Sequence, residues 1–578
     1  MTEQNYWKRV ALSRRRLIGA AAVTASGTAM LAMFGCSSNN NKKVATAQVG
    51  SKATVAGKTA TPAAQEPKRG GTLQMRQLKD FNFDALTNAT PAPSHFFAAN
   101  VYSSIIRNVA GKTPTETFNW GIEGDLAVSW QQPDHQTYIF KLRPGVKTHN
   151  KPPVNGRELT ADDIVQSMHA NMTEERNATR KGLGPVDGFP TAIDSSTIQI
   201  KTTQPFAPFL ANLAYRNAFW IYPKELLAND EIRVNSPVGT GPFMFKAKQD
   251  GSFWDFDANP DFYRKDEAGR KIPFAAGVRY NIVPEEATAI AQFQAGNLDR
   301  LDTVSADNLG QVQKVKGANL IESLEFLSSH DNVWPQQRRG PFQDERLRQA
   351  LSLSIDRDAM LHVTGGGHGD WNNICNKVMG KWWLNPRGKD IGDTAKFFKQ
   401  DQAEAKKLID AAGFHDSFNA TYSNGYGDAF SARALFEVDQ FKQVGMKPSA
   451  VQVDHKSQWS VPNGTFFGNY EGVALSAQTG YPHAHIILNN ILHTGGAHNV
   501  GGCSDAQLDG MIDALGQEFD EAAAIQKAFN IQRYAMQHCF FIPTIINSIN
   551  IATQPRINNV YVDQVYQFDS VERAWISA

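Results

Sequence analysis

Four histidines lie close together late in the chain, and their spacing is compatible with ligand or metal chemistry. His483 and His485 are separated by one residue, and His493 and His498 follow. A His-X-His pair can chelate a metal ion, and an imidazole can hydrogen-bond an anionic or chelated ligand. In an extended segment the first pair would point to the same side, because positions two apart share one face. Metal coordination, ligand contact and an ordinary polar loop are the three interpretations of this segment.

Aromatic and polar side chains elsewhere could form the walls of a small-molecule cleft. Three tryptophans lie in a passage rich in Gly, Asn and Pro, residues 365–386. Aromatic walls with a few polar groups suit such a cleft, although the same rings could pack in a core. Asn424 and Tyr426 follow a predicted strand, and ligands gather at strand ends in open α/β sheets. The predicted ligand-contacting residues are Trp371, Trp382, Trp383, Asn424, Tyr426, Gln478, Tyr481, His483 and His485.

Two common signatures of hydrolytic chemistry are missing from the sequence. Neither HExxH nor GxSxG occurs in it. The absence of both signatures counts against a secreted hydrolase. Cys375, Cys503 and Cys539 fit no CxxC metal spacing, and we interpret them as buried thiols, with one disulfide as the alternative.

The first 36 residues have the pattern of an export signal. A Ser-Arg-Arg start at residues 13–15 resembles a twin-arginine signal, and the four residues ending at Cys36 resemble a lipobox. We predict lipidation of Cys36 and anchoring at the periplasmic or cell-surface face of the cytoplasmic membrane. A Sec signal and a transmembrane anchor are the alternatives. Residues 37–68 contain almost no large apolar side chains and are predicted to be a flexible tether.

The composition describes a folded body without a basic surface. The chain has 578 residues, of which 41% are hydrophobic and 20% charged, so packed domains are expected and wholesale disorder is excluded. The formal net charge is +1, and the basic leader leaves a slightly acidic remainder. Nucleic acid is excluded as the main partner, because phosphate binding needs a basic stripe.

Predicted strands and helices alternate along the body. Residues 138–142 are β-prone, and Thr160 with Asp163 forms the capping box of a helix. Residues 344–360 and 428–444 are each predicted as one helix with apolar groups on one face. Further helices are predicted at 286–295, 403–412, 505–515 and 521–537. This order predicts α/β lobes with partly parallel sheets.

Five segments occur in the order found in one protein family. They are 126–164, 237–243, 259–264, 286–299 and 341–357. The second of them reads PVGTGPF, and its glycines and prolines fix a tight backbone path, as a crossing between lobes would need. Together the segments resemble the extracellular solute-binding proteins, family 5, which serve peptide and nickel ABC importers. The resemblance covers residues 70–570.

The resemblance implies an α/β, two-lobed, periplasmic-binding-protein-like fold with mixed sheets, an extra domain and a ligand cleft between the lobes. Lobe I would comprise residues 69–101, 231–305 and 545–578, the extra domain 102–230, and lobe II 306–544. Such a protein is not an enzyme, and the resemblance implies no catalytic residue, no resident metal and no cofactor. As a monomer it captures a solute by hinge closure and delivers it to permease subunits that a cytoplasmic ATPase drives.

The resemblance does not identify the ligand. Peptide-binding relatives hold the peptide amino terminus with an Asp, and the corresponding stretch here, residues 476–485, has no carboxylate. A buried ammonium without a counter-charge is costly, so peptide capture by that route requires another acid. An oligopeptide-like or other polar solute is expected. A metal chelate or metallophore, and the roles of secreted hydrolase or solute sensor, are the alternatives.

Overall fold

The computed structural model describes residues 66–78, 84–87, 98–109, 120–177, 180–215, 219–324, 330–461, 463–559 and 571–577. The predicted export signal, Cys36 and the tether up to residue 65 lie outside these residues. Within them, no helix is both long enough and apolar enough to cross a membrane.

The structure contains short strands and helices in alternation. The strands are β1 (Thr72–Gln77), β2 (Ile106–Asn108), β3 (Ile122–Gly124), β4 (Ala127–Gln131), β5 (Thr137–Leu142), β6 (Thr191–Asp194), β7 (Thr197–Lys201), β8 (Phe243–Gln249), β9 (Phe253–Ala258), β10 (Gly277–Ile282), β11 (Arg300–Val304), β12 (Asn319–Leu324), β13 (His330–Pro335), β14 (Gly369–Trp371), β15 (Ser417–Ser423), β16 (Lys447–Val453), β17 (Val473–Gln478), β18 (Ile542–Thr553), β19 (Ile557–Asn558) and β20 (Trp575–Ile576). The helices are α1 (Ala161–Thr173), α2 (Phe209–Ala214), α3 (Lys224–Leu227), α4 (Asp230–Asn235), α5 (Glu286–Gln294), α6 (Leu309–Val312), α7 (Glu345–Ser354), α8 (Arg357–Gly365), α9 (Gln402–Ala412), α10 (Gly427–Gln443), α11 (Ala484–Leu492), α12 (Ala506–Gly516) and α13 (Glu521–Gln537).

One mixed sheet of twelve strands organises most of the described chain. Ten of them follow in the order β16-β15-β17-β13-β18-β11-β1-β10-β9-β8, and β12 and β14 each pair with β18 off this path. Strand β15 is parallel to both β16 and β17, whereas β13 and β18 are antiparallel to their neighbours. Strand β18 joins the two parts of this sheet. Its first half pairs with β13 and β14, and its second half pairs with β11 and β12.

A second, smaller structure forms between residues 105 and 221. Strands β4, β5, β7 and β6 make a four-stranded antiparallel sheet that α1 and α2 accompany. Its buried side chains form their own hydrophobic cluster, which includes Tyr138, Phe140, Ile164 and Phe209. We call these residues, 105–221, the small domain.

The predicted helices are confirmed in position, with one exception. Thr160 and Asp163 form the expected capping box at the start of α1. The single helix predicted at 344–360 is wrong, because Ile355 is extended and separates α7 from α8. The break is stabilised by Asp356, whose side chain accepts a hydrogen bond from the Ala359 amide and so caps the second helix. Apolar spacing alone cannot reveal such an internal cap.

The PVGTGPF segment passes directly against residues 100–101. A Cβ on Gly239 would lie 2.1 Å from the Val101 carbonyl oxygen, so only glycine fits. The His149 ring forms two hydrogen bonds with this segment. Its Nδ1 accepts a hydrogen bond from the Gly239 amide at 3.3 Å, and its Nε2 donates to the Gly241 carbonyl at 3.1 Å. The predicted tight backbone path is therefore confirmed. The segment packs against the backbone of residues 100–101 on one side and is hydrogen-bonded by the neutral His149 ring.

Acid should weaken the protein through His149. Burial, with a smaller contribution from Lys151, lowers the pKa of His149 to about 4, although the bond to Gly241 opposes this. Because the folded-state pKa lies below the unfolded value, the stabilisation is complete above about pH 6.5 and is lost as the pH falls towards 4. Between pH 7.5 and 4.5 we expect the free energy of unfolding to fall about 2–3 kcal/mol further in the wild type than in His149→Gln. Urea titrations at the two pH values measure the free energy of unfolding of both proteins. The same pH dependence in the two would contradict the stabilising role of a neutral His149.

Candidate functional site

The parallel strands β15 and β17 end at the same edge of the main sheet, and two of the predicted site residues follow β15 there. Asn424 is exposed, and its side-chain oxygen accepts a hydrogen bond from the His455 amide at 2.9 Å. Tyr426 is half-buried, and its hydroxyl accepts a hydrogen bond from Nε1 of Trp459 at 3.2 Å. Ser476 of β17 also hydrogen-bonds the Tyr426 side chain. This edge therefore brings the 424–426 turn to the strand that ends in Gln478.

A serine–histidine contact that the sequence did not suggest holds this turn in place. The Ser423 hydroxyl lies 2.8 Å from Nδ1 of His455, and the Ser460 hydroxyl lies 3.0 Å from Nε2 of the same ring. The Gly425 amide also donates to the Ser423 oxygen at 3.0 Å. Ser423 is fully buried, so this pair supports the turn and is not an accessible nucleophile. The two residues are 32 positions apart, and no local pattern connects them.

The segment that follows β17 meets the small domain. Gln478 is buried at the end of the strand, and the Tyr481 ring lies 5.8 Å from the ring of Tyr215. The Tyr215 hydroxyl also donates to the Gly480 carbonyl at 3.5 Å. Burial raises the pKa of Tyr481 well above its ordinary value, so this phenol is neutral. Sequence analysis missed Tyr215, because nothing in the chain marks which segments meet in space.

His483 and His485 do not lie on one extended segment, so the condition under which the two rings would share a face is not met. His483 is the N-cap of α11, and its Nδ1 accepts a hydrogen bond from the His485 amide at 3.1 Å. Its ring lies 4.3 Å from the ring of Trp382, whereas the His485 ring lies 5.3 Å from Phe206. Burial lowers the pKa of His483 to about 3 and that of His485 to about 4. The described residues contain no group of three or more His, Cys, Asp or Glu side chains that could hold a metal ion.

The three predicted tryptophans each carry a basic side chain over one ring face. The Arg387 guanidinium lies 4.3 Å from the Trp371 ring, and Lys381 and Lys377 lie 5.5 Å and 5.1 Å from Trp382 and Trp383. Trp382 contacts the segment that contains His483 and His485, because its Nε1 donates a hydrogen bond to the Pro482 carbonyl at 3.0 Å. Trp371 lies on β14, where its Nε1 donates to Asp358 at 2.8 Å.

Two polar groups in this tryptophan passage have no hydrogen-bond partner among the described residues. The Asn372 side chain is fully buried, and neither its nitrogen nor its oxygen is paired. The indole nitrogen of Trp383 is also buried and unpaired. An unsatisfied buried polar group costs about 1–3 kcal/mol, so a hydrogen bond to either group would be favourable. Asn372 was not among the predicted site residues.

The three body cysteines match the preferred interpretation. Cys375, Cys503 and Cys539 are free and buried. Burial raises the pKa of Cys503 and of Cys539 to about 12, so these thiols are protonated and unreactive.

Comparison with known proteins gives the fold and the family. Oligopeptide-binding protein AppA of Bacillus subtilis (strain 168) is 24% identical over 448 residues, which cover 72% of this chain and 76% of AppA. The probable D,D-dipeptide-binding periplasmic protein DdpA of Escherichia coli (strain K12) is 29% identical over 316 residues, 53% of this chain and 56% of DdpA. The structure of the periplasmic binding protein DppA from Helicobacter pylori, in complex with the peptide STSA, superposes with a TM-score of 0.73 at 18% identity, covering 88% of this chain and 99% of DppA.

The fold is that of the periplasmic binding proteins, which confirms the predicted α/β architecture with mixed sheets. Residues 121–499 match the bacterial extracellular solute-binding proteins, family 5 Middle, and the chain belongs to that family. It is therefore a substrate-binding receptor of the kind that serves ABC importers. Members of the family are binding proteins rather than enzymes, and they work outside the cytoplasm.

Proposed function

We propose that this protein captures a small polar solute, oligopeptide-like in its chemistry, by hinge closure and releases it unaltered to ABC permease subunits with a cytoplasmic ATPase. The observation that carries the proposal is the meeting of the 478–485 segment with Tyr215 of the small domain. A ligand at the adjacent strand ends would be enclosed by two separately folded parts of the chain. AppA, DdpA and DppA, by their names, bind oligopeptides or dipeptides, which supports this solute class.

The proposed domain division follows the sheet and core. Lobe I comprises 69–101, 231–305 and 545–578, lobe II comprises 306–544, and the extra domain is 102–230. The separate hydrophobic cluster of residues 105–221 supports the extra domain. Strand β18 pairs with β13 and β14 along its first half and with β11 and β12 along its second half, which supports a crossing between the lobes at that strand.

The ligand group nearest Gln478 should carry no free ammonium. The nearest buried acid on the neighbouring strand is Asp331, directly opposite Ala477, and it is paired with Arg433. Burial raises the pKa of Asp331 to about 6, and Arg433 only partly offsets this. An acid so placed is already neutralised, and an additional buried cation would lack a counter-charge. Amide, hydroxyl or acyl groups suit the uncharged side chain of Gln478 better.

A defined peptide mixture tests the function. Purified protein is incubated with an equimolar mixture of random tripeptides, half of them acetylated at the amino terminus, and retained masses are read by native mass spectrometry. We expect tripeptides to be retained with their masses unchanged, the acetylated half preferentially, and a smaller radius of gyration in small-angle scattering when they bind. Retention of none of them would contradict the peptide class. A chemically altered product would contradict binding without catalysis.

We propose that the mature protein is a monomer anchored through lipid on Cys36, after export by a twin-arginine signal. Cys36→Ala should therefore release the protein from the membrane. In the native host, detergent phase partitioning should move most of the wild type, and less than a tenth of the variant, into the detergent phase, because loss of acyl chains removes the anchor. Ser37→Ala is the matched control and should partition like the wild type. Equal partitioning of Cys36→Ala and wild type would contradict lipidation.

A further inference from the structure

The His485 ring lies at a contact between the small domain and the end of helix α12. The ring meets Phe206 edge-on at 5.3 Å. On its other side, a Cβ added to Gly516 would lie 2.9 Å from Nε2 of His485, so the absence of a side chain there makes room for the ring. The Ala207 amide donates to the Gly516 carbonyl at 2.8 Å, which fixes the two backbones next to the ring. We call these four residues, Phe206, Ala207, His485 and Gly516, the closing contact.

Two further pairs continue the same contact. The Tyr215–Tyr481 ring pair, described above, lies on one side of it. The ring of His135 meets Phe519, just beyond α12, at 4.0 Å. The small domain therefore touches the part of the chain that follows β17 at several points, and His485 supplies the histidine that is buried between them.

We propose that His485 is a positioning residue for solute capture: its ring, seated between Phe206 and Gly516, holds the small domain against helices α11 and α12 in the closed arrangement. This inference rests on the proposed function, because closure matters only if a solute is captured. It adds a residue that acts through the closing contact and does not touch the solute. The neighbouring His483 has a different role, since its ring packs on Trp382 and its Nδ1 caps its own helix.

The charges around His485 favour a neutral ring. Phe206, Ala207 and Gly516 have no ionisable side chain. His493, on the same helix, faces His485 and is itself next to Asp509 and Asp513 of α12. Burial, with a smaller contribution from His493, lowers the pKa of His485 to about 4. If the ring returns to an ordinary pKa near 6.5 when the contact opens, acid favours the open arrangement, and closure weakens about tenfold between pH 7.5 and 5.5.

Two glycines of one helix give a matched pair of variants. Gly516→Ala introduces a Cβ against the His485 ring, whereas Gly510→Ala introduces one where no atom lies within 4 Å. Neither glycine has a positive φ, so both alanines suit the helix. The probe is the tripeptide that the wild type retains from the mixture described above, and its Kd is measured at pH 7.5 and 5.5. We expect Gly510→Ala to match the wild type and Gly516→Ala to bind about tenfold more weakly at pH 7.5.

His485→Gln removes the titratable ring and keeps a polar side chain. The pH dependence of its Kd distinguishes the proposed role, because a merely structural role of His485 would not change that pH dependence. The wild-type Kd should rise about tenfold from pH 7.5 to 5.5, and the variant Kd should rise less than threefold. Histidine-selective NMR of the solute-bound wild type should show a neutral His485 ring at pH 5.5. Equal Kd values for the two glycine variants, or the same pH dependence in wild type and His485→Gln, would overturn the inference while leaving the proposed function intact. If the wild type retains no tripeptide, the proposed function fails. A neutral His485 ring at pH 5.5 in the unliganded protein would then show that the contact stays shut without a solute, and would overturn the inference separately.

Discussion

Replacing Arg233 by methionine should destabilise the folded protein by about 3–5 kcal/mol, because the substitution removes the buried positive charge that pairs with the buried carboxylate of Asp84. Arg233 and Asp84 are both essentially inaccessible to solvent, and Nε of the arginine lies 3.0 Å from the carboxylate. The guanidinium also donates to the Leu227 carbonyl at 2.8 Å, so its loss removes several bonds at once. The free energy of unfolding from urea titration at pH 7.5 measures the effect.

Arg176→Met is the matched control, because Arg176 binds the same neighbouring acid from the surface. Arg233 and Arg176 both pair with Asp230, but the Arg176 side chain is 55% exposed. An exposed ion pair contributes about 0–1 kcal/mol, so this control should change stability little. A loss of less than 1 kcal/mol in Arg233→Met, or equal losses in the two variants, would show that burial does not govern the strength of these pairs.

Gly239→Ala should cost about 3 kcal/mol or more, or prevent folding, because its new methyl group would overlap the Val101 carbonyl. The Gly239 φ angle is not in the left-handed region, so the cost comes from contact and not from backbone strain. Movement of the segment would also break the hydrogen bonds with His149. Soluble yield and the urea midpoint are the two measurements.

Gly310→Ala separates a steric effect from a general cost of replacing glycine. Gly310 lies in α6, and a Cβ there would meet no atom within 4 Å. The control should be neutral or slightly stabilising, since alanine favours a helix more than glycine does. If Gly239→Ala unfolds at the same urea concentration as this control, the close approach to Val101 is not maintained in solution.

The fold was largely predictable, because helix boundaries are marked by residues close in sequence and the overall architecture follows from the family resemblance. Capping residues such as Thr160 and Asp163, and the glycine that ends α9, mark helix boundaries within a few positions. The PVGTGPF segment indicated a constrained path from its composition alone. The neighbours of this segment could not be predicted, because Val101 and His149 come from distant parts of the chain.

The candidate site was less predictable, for the same reason. The strand-end position of Asn424 and Tyr426 follows from the order of elements and is confirmed. The partners of His485 and Tyr481 come from the small domain, more than 260 residues earlier in the chain. Whether a histidine such as His483 caps a helix or extends a strand depends on where α11 begins, and apolar spacing does not settle that boundary. The ligand-contacting role of the predicted residues stays a prediction, except that for His485 the positioning role proposed above replaces it.

The shared strand β18 also has a thermodynamic consequence. A strand bonded along both edges cannot slide, so relative rotation of its two ends has to be absorbed as twist. The hydrophobic cluster around it runs without interruption from Leu73 and Met75 to Val333 and Trp334. Melting one end would expose apolar surface and unpaired amides at the other. Calorimetry should therefore record a single cooperative endotherm for this large body, and solute binding should raise its temperature as a whole.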